Sequence, residues 1–288
     1  MKISTWESCL PSNAMELYAK MVKAIRSTGD EIIYQQMEGD AALIWSVLWW
    51  GRMARSKPVW SHYRSQNKPV IVAEVGGLIR DKTWRISANG INRSAVFPEV
   101  MLDQDRPSKM GLYLKPWHDG DYILICGQHE RSEQWVGMPS MDDYYKQTVL
   151  ELRKHTDRPI VIRSHPRYME RRFFNIDEEF YRSHGIEWNM PKRVRDTYDS
   201  FDLETLLPHC HCVVSHSSNS GLSAIMAGTP AIVSKDSLAY DVATDDLSMV
   251  ERLPKPDRES WLIELSHKEW FDHEFDVAWQ GLRSMISQ

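Results

Sequence analysis

Two short stretches concentrate side chains able to hold an anion. One is Arg163-Ser164-His165-Pro166-Arg167 and the other is Ser215-His216-Ser217-Ser218-Asn219-Ser220-Gly221. Arginine presents paired N–H donors to phosphate. Histidine can donate to a phosphate or protonate a leaving group near neutral pH. Serine hydroxyls, added to the open N–H groups and positive dipole end of a helix start, complete an anion cradle. Read as local structure alone, Ser217, Ser218 and Ser220 are helix caps and His165 is a loop histidine among solvated cations. A third stretch, Glu74-Val75-Gly76-Gly77, sets a carboxylate beside glycines. Glycines let a substrate approach a general base, and Arg80 follows closely; the plainer reading is a loop glutamate. His209-Cys210-His211-Cys212 invites a metal reading, but alternation along a strand sends histidines and cysteines to opposite faces, so no metal site is expected. GxGxxG, GKS/T and HExxH patterns are absent.

The elements that must position these residues alternate along the chain. Residues 15–30 have helical periodicity ending at Gly29, 41–48 form a buried run, and 68–75 a β-branched run. Asn89-Gly90 signals a turn within 84–98, and 121–128 read as a strand ending at Gly127-Gln128. The second half gives a helix over 141–156, a strand over 158–166, a helix over 201–209, a strand over 210–216, a helix over 218–228 and a strand over 229–235. This pattern predicts α/β architecture with parallel, doubly wound sheets. Ligands of such sheets bind at the carboxyl ends of the strands, where both Ser-rich and His-Pro loops fall. The best boundary lies near Gly127: a domain over 1–126, a second over 127–270, and a closing C-terminal helix over 271–288.

With 288 residues, the chain can bury a large core without disulfides or metal. A net charge of −5 gives no global attraction to nucleic acid or anionic lipid, although the tract 153–172 is basic. The four cysteines have no disulfide-framework spacing. No signal peptide and no 18-residue apolar span is evident, which predicts a cytoplasmic protein without a membrane partner. Arg52, Arg55, Lys57, Arg64 and Lys68, with Trp60 and Tyr63, would form a phosphate-and-stacking surface for nucleic acid, or else a solvated helix face.

Taken together, Arg-Ser-His-Pro and the later Ser-Ser-Asn-Ser-Gly helix start resemble GT-B glycosyltransferases carrying the HP motif, a group that includes bacterial sialyltransferases and capsule Kdo transferases. Glu74-Val75-Gly76-Gly77 is similar to that group's acidic motif, with Val75 departing at the second acidic position. Glu74, Gly76, Trp84, Ser87, Asn89, Gly90 and Asn92 further resemble bacteriophage-encoded proteins thought to transfer sugars, arabinose among them, to hydroxymethylcytosine in DNA.

The resemblance implies a GT-B fold, two Rossmann-like domains with parallel sheets facing a cleft. It implies an inverting, metal-independent glycosyltransferase using a nucleotide sugar, a UDP-sugar such as UDP-arabinose, with 5-hydroxymethylcytosine in DNA as acceptor and no further cofactor. Glu74 would be the base and His165 its catalytic partner. Arg163, Ser164, Arg167, Ser215, Ser217, Ser218, Asn219 and Ser220 would bind the nucleotide phosphates. Gly76, Gly77, Arg80 and Gln128 would line the substrate cleft, and Arg52, Arg55 and Arg64 would meet the DNA. Alternatives are a glycan or capsule transferase using a CMP- or UDP-sugar, a non-catalytic nucleotide-sugar-binding protein, and a sugar-nucleotide epimerase.

Overall fold

The computed structural model describes residues 1–167, 176–197 and 200–287; the end of the basic tract, 168–172, lies outside them. Among the described residues the strands in chain order are β1 (Lys2–Thr5), β2 (Glu31–Tyr34), β3 (Ala41–Trp45), β4 (Val70–Val75), β5 (Trp84–Ala88), β6 (Tyr122–Cys126), β7 (Ile160–Arg163), β8 (Ile186–Asn189), β9 (Cys210–Ser215), β10 (Ala231–Val233) and β11 (Glu269–Trp270). The chain divides into two compact units. The first comprises Met1–Met110, Arg131–Gln134 and Leu262–Gln288; the second comprises Gly111–Glu130 and Trp135–Trp261.

In the first unit the sheet order is β11-β5-β4-β3-β1-β2. Alternate residues of β3 and β4 serve opposite faces, as a two-residue period requires. Leu43, Trp45, Ile71 and Ala73 join a core with Tyr18, Met21 and Ile25 of the helix Met15–Ser27 and with Trp279 and Leu282 of the helix Phe275–Ile286. Ala42, Ile44, Val70 and Val72 face Val59, Trp60 and Tyr63 of the helix Lys57–Ser65. β1 to β4 are parallel, but β5 is antiparallel to β4 and β11 antiparallel to β5. The expected all-parallel sheet therefore fails at this edge. A parallel neighbour needs a long crossover, and the connection from Val75 to Trp84 is only a loop. The Asn-Gly turn is present: Asn89 has φ +62°, its side chain accepts from the Val70 N–H at 3.0 Å, and the Ser87 hydroxyl donates to the Gly90 carbonyl at 2.6 Å.

The second unit holds a wholly parallel sheet, β10-β9-β6-β7-β8. Its core gathers Ile123, Ile125, Ile160, Ile162, Cys212 and Val214 with Tyr145, Val149 and Leu152 of the helix Met141–Leu152. The boundary expected near Gly127 moves earlier, to Gly111. β6 is hydrogen-bonded between β9 and β7 at the sheet's centre, and the segment before it is tied to the same unit by Lys115 N–H to Met226 O (2.9 Å) and His118 N–H to Gly228 O (3.0 Å). Nor is 271–288 a separate closing element. Trp279 donates to Thr28 Oγ1 at 2.9 Å and Arg283 to Asp30 at 2.7 Å, so it belongs to the first unit's core. The helix expected over 201–209 is two 3-10 turns, Asp202–Thr205 and Leu207–His209; Pro208 removes an N–H that a longer α-helix needs.

Candidate functional site

In the second unit the carboxyl ends of the adjacent strands β7, β6 and β9 deliver the His-Pro loop, Gln128 and the Ser-rich loop to one sheet edge. The Ser218 hydroxyl caps the helix Asn219–Met226, accepting from the Ser220 N–H at 3.3 Å. Gly221 allows that helix to lie low over the strands: an added Cβ would stand 3.0 Å from Val233 and 3.4 Å from the Ser215 hydroxyl. Gln128 clamps the loop, its Oε1 accepting from the Ser217 N–H at 3.2 Å and its Nε2 donating to the Ser217 hydroxyl at 3.2 Å.

The sequence-derived phosphate ligands separate into two groups. His165, Ser218 and Asn219 are half-buried and Arg167 is exposed, so their side chains face solvent-accessible space. The Arg167 N–H donates to His165 Nδ1 at 3.2 Å, which places the neutral ring's proton on Nε2, a donor. Ser164, Ser215, Ser217 and Ser220 are buried. Among the described residues the hydroxyls of Ser164, Ser215 and Ser234 are enclosed without a hydrogen-bond partner. Ser220 lies beside the Cys126 thiol, which burial pushes up to about 12.

Arg163, expected among the phosphate ligands, is engaged within the protein. It is 5% exposed, and its guanidinium donates to Asn189 and, at 2.7 Å, to Asp202. Burial alone would raise the Asp202 carboxyl, but hydrogen bonds from Arg163 and the Lys192 N–H outweigh it and hold the group below the ordinary range. Two further histidines stand at this edge. His129 is buried with its ring 5.6 Å from that of His165. His216 lies edge-on to Trp135 at 5.3 Å, and burial depresses its pKa against the pull of Asp236.

In the first unit Glu74 is half-buried at the end of β4. Its carboxylate accepts from the Ser46 hydroxyl at 2.6 Å and the Val75 N–H at 3.0 Å. Ser46 follows β3 with φ +61°, an uncommon conformation for a non-glycine residue. Gly76 and Gly77 do something other than admit a substrate. A Cβ on Gly76 would fall 2.4 Å from Glu269 Oε2, and the Gly77 N–H donates to Glu269 Oε1 at 2.7 Å. Glu269, 0% exposed, also accepts from the Leu78 N–H, the Thr83 hydroxyl and the Arg85 guanidinium. The glycine loop is thus wrapped around a buried carboxylate that sequence reading did not single out. Arg80 is exposed beyond it.

Arg52 and Arg55 are exposed and Arg64 is half-buried. Trp60 and Tyr63, expected to stack on nucleic acid, are core residues: Trp60 packs at 5.9 Å on Trp49, and the Tyr63 hydroxyl accepts from the Gly39 N–H at 3.1 Å. His211 has its Nε2 on the Val250 carbonyl at 2.7 Å, and burial pushes the Cys210 thiol up to about 11. Among the described residues no group of three His, Cys, Asp or Glu converges as for a metal ion, and no helix is long and apolar enough to cross a membrane.

No family model matches the chain, and no curated protein matches it. Solved structures do. A β Kdo 2,4 transferase, KpsC from Thermosulfurimonas dismutans, is 13% identical over 93% of this chain and 89% of its own, with a TM-score of 0.53. The β Kdo 2,7 transferase of the same KpsC gives 12% identity, 99% and 100% coverage and a TM-score of 0.48. The spinosyn rhamnosyltransferase SpnG gives 9%, 99% and 100%, and 0.33. The first of these shows that the chain shares the two-sheet, GT-B-like fold of that transferase; the other two scores are too low to add to it.

Proposed function

We propose that this protein is a glycosyltransferase that moves a sugar from a nucleotide donor to a hydroxyl acceptor. The observation that carries the reading is the second unit's sheet edge, where His165, Ser218 and Asn219 stand at a capped helix start above enclosed serine hydroxyls. The helix start supplies N–H groups and a positive dipole end to the donor's diphosphate or phosphate, and His165 Nε2 donates to a phosphate oxygen. Charge neutralised in this way requires no metal.

Glu74 is the base in this reading. Ser46 and the Val75 N–H fix the orientation of its carboxylate. It takes the acceptor proton as the acceptor oxygen attacks the anomeric carbon from the face opposite the departing phosphate, giving inversion. The donor is a UDP-sugar, a UDP-pentose such as UDP-arabinose being the one the sequence resemblance supports. The same resemblance supports 5-hydroxymethylcytosine in DNA as acceptor, a base that must leave the stack to reach a carboxylate.

Thermal melting with UDP, CMP and GDP in separate wells tests the donor half. A nucleotide at a hundred times its dissociation constant adds about 2.7 kcal/mol to the native state. Selective stabilisation by UDP is expected. CMP in its place would redirect the donor assignment to CMP-sugars, and no shift with any of the three would refute the phosphate cradle. Glu74→Gln should keep the UDP shift and lose sugar transfer to hydroxymethylated DNA. Retained turnover in that variant would remove Glu74 as base.

A further inference from the structure

From Ala41 to Ala73 the chain carries no Asp or Glu, in a protein with 40 of them. The same stretch contains Arg52, Arg55, Lys57, Arg64 and Lys68. Arg52, Arg55 and Lys57 are exposed, and among the described residues Arg52, Arg55, Lys57 and Arg64 have no ion-pair partner. The stretch is therefore cationic within a chain of net charge −5. Just before these cations, Trp49 and Trp50 divide the work. Trp49 is 6% exposed, donates its indole N–H to Glu133 at 2.9 Å and packs on Trp60. Trp50 is 45% exposed, and the Arg131 guanidinium stacks over its ring at 4.5 Å.

The loop bearing Trp50 is braced. The Trp49 N–H donates to the Arg131 carbonyl at 2.8 Å, the Glu133 N–H to the Val47 carbonyl at 2.9 Å, and Leu48 bridges Ser132. An exposed indole held on a braced loop loses little entropy when a ring stacks on it. At the loop's other end Ser46 holds the Glu74 carboxylate. Ser46 follows β3 and Glu74 is the penultimate residue of β4, so both stand at the carboxyl ends of these parallel strands, the edge where ligands of such sheets bind.

We infer that Trp50 and Arg131, with Arg52, Arg55 and Lys57, form a track for a single-stranded or locally unstacked nucleic-acid segment. One base stacks on the Trp50 indole and the flanking phosphates meet Arg52, Arg55 and Lys57. Successive charges beside one planar ring match a strand of repeating phosphates and bases. The inference rests on the glycosyl-transfer reading for what the bound strand is for, but not for its binding.

The test is fluorescence anisotropy with a labelled twelve-nucleotide oligothymidylate, at 50 and 200 mM salt. Tight binding at the lower salt is expected, with Trp50→Ala weakening it about 5- to 150-fold, the range of one base–aromatic stack, and Trp50→Phe retaining most of the affinity. Arg52→Gln combined with Arg55→Gln should flatten the salt dependence by roughly 1.4 in log–log slope, at about 0.7 per phosphate contact. Circular dichroism and unchanged melting temperatures confirm that these exposed-site variants are folded. No binding at 50 mM salt overturns the inference, as does a Trp50→Ala affinity within twofold of wild type. A hyaluronan hexasaccharide bound equally well and equally lost in Trp50→Ala also overturns it, since the surface would then read acidic glycans. The UDP melting shift is measured on the same variants: oligonucleotide binding without it supports the track and sinks the transfer reading, and the converse sinks the track alone.

Discussion

Asp30 offers a quantitative test of how the first unit is held together. It follows the helix Met15–Ser27, and its side chain is fully buried. Burial alone would raise its pKa, but hydrogen bonds from Arg283, the Met1 amine and Thr28 outweigh that and hold it down at about 2, against 3.8 when unperturbed. A depressed carboxylate stabilises the fold at pH values above its unfolded pKa, and the contribution is lost as pH falls through the folded one. The difference of about 1.8 pH units, at 1.36 kcal/mol each, makes Asp30 worth about 2 kcal/mol at pH 7, about 1 kcal/mol at pH 3, and little at pH 2. Asp30→Asn should therefore lower stability by about 2 kcal/mol at pH 7, a fall in Tm of roughly 4–8 °C for a unit of this size. Urea unfolding of both proteins at pH 7, 5, 4 and 3, followed by tryptophan fluorescence, is the assay; Trp279 donates to Asp30 Oδ2 at 3.2 Å and reports directly. A gap between the two proteins that stays constant from pH 7 to pH 3 would refute the charge assignment. Arg283→Ala should remove part of the same energy and should not add in full to Asp30→Asn.

His165→Ala should weaken nucleotide binding roughly tenfold to a hundredfold, the loss of one charge-assisted hydrogen bond, measured by titration calorimetry with the nucleotide that shifts the melt. Arg163→Met should leave that affinity unchanged and instead cost roughly 1–3 kcal/mol of stability through its partners Asn189 and Asp202; a large affinity loss in a folded variant would return Arg163 to the phosphate site. Gly76→Ala should cost roughly 1–3 kcal/mol, because its Cβ would press on both the buried Glu269 carboxylate and the Thr83 carbonyl. Urea unfolding with a cost under about 0.5 kcal/mol would show that the loop is not wrapped as described.

Local patterns survived the comparison with the structure and long-range partners did not. The run from Cys210 through the Ser-rich loop to Val233 was legible because apolar strand, small-residue cap and helix follow one another without interruption. The ion pair of Arg163 was not legible because its partner Asp202 lies 39 residues on, and nothing beside it in the sequence separates a phosphate ligand from an ion pair. Trp60 and Tyr63 did carry a readable signal: with Val59 they lie on one helical face, which points to the core. Glu269 had none. It sits in an unremarkable Lys-Glu-Trp stretch, and only the pairing of β11 with β5 brings it to Gly77.

That pairing sets the order in which the molecule can be completed during synthesis. The second unit is whole once Trp261 has emerged from the ribosome, whereas the first still lacks β11, the Glu269 carboxylate and the helix bearing Trp279 and Arg283. The half of the protein made first therefore finishes folding last. Until the 262–288 segment arrives, Arg85 has no Glu269 to pair with and the loop after Glu74 has no carboxylate to close around. A nascent chain stalled before that point would expose the edge of β5, an open template for unwanted strand pairing.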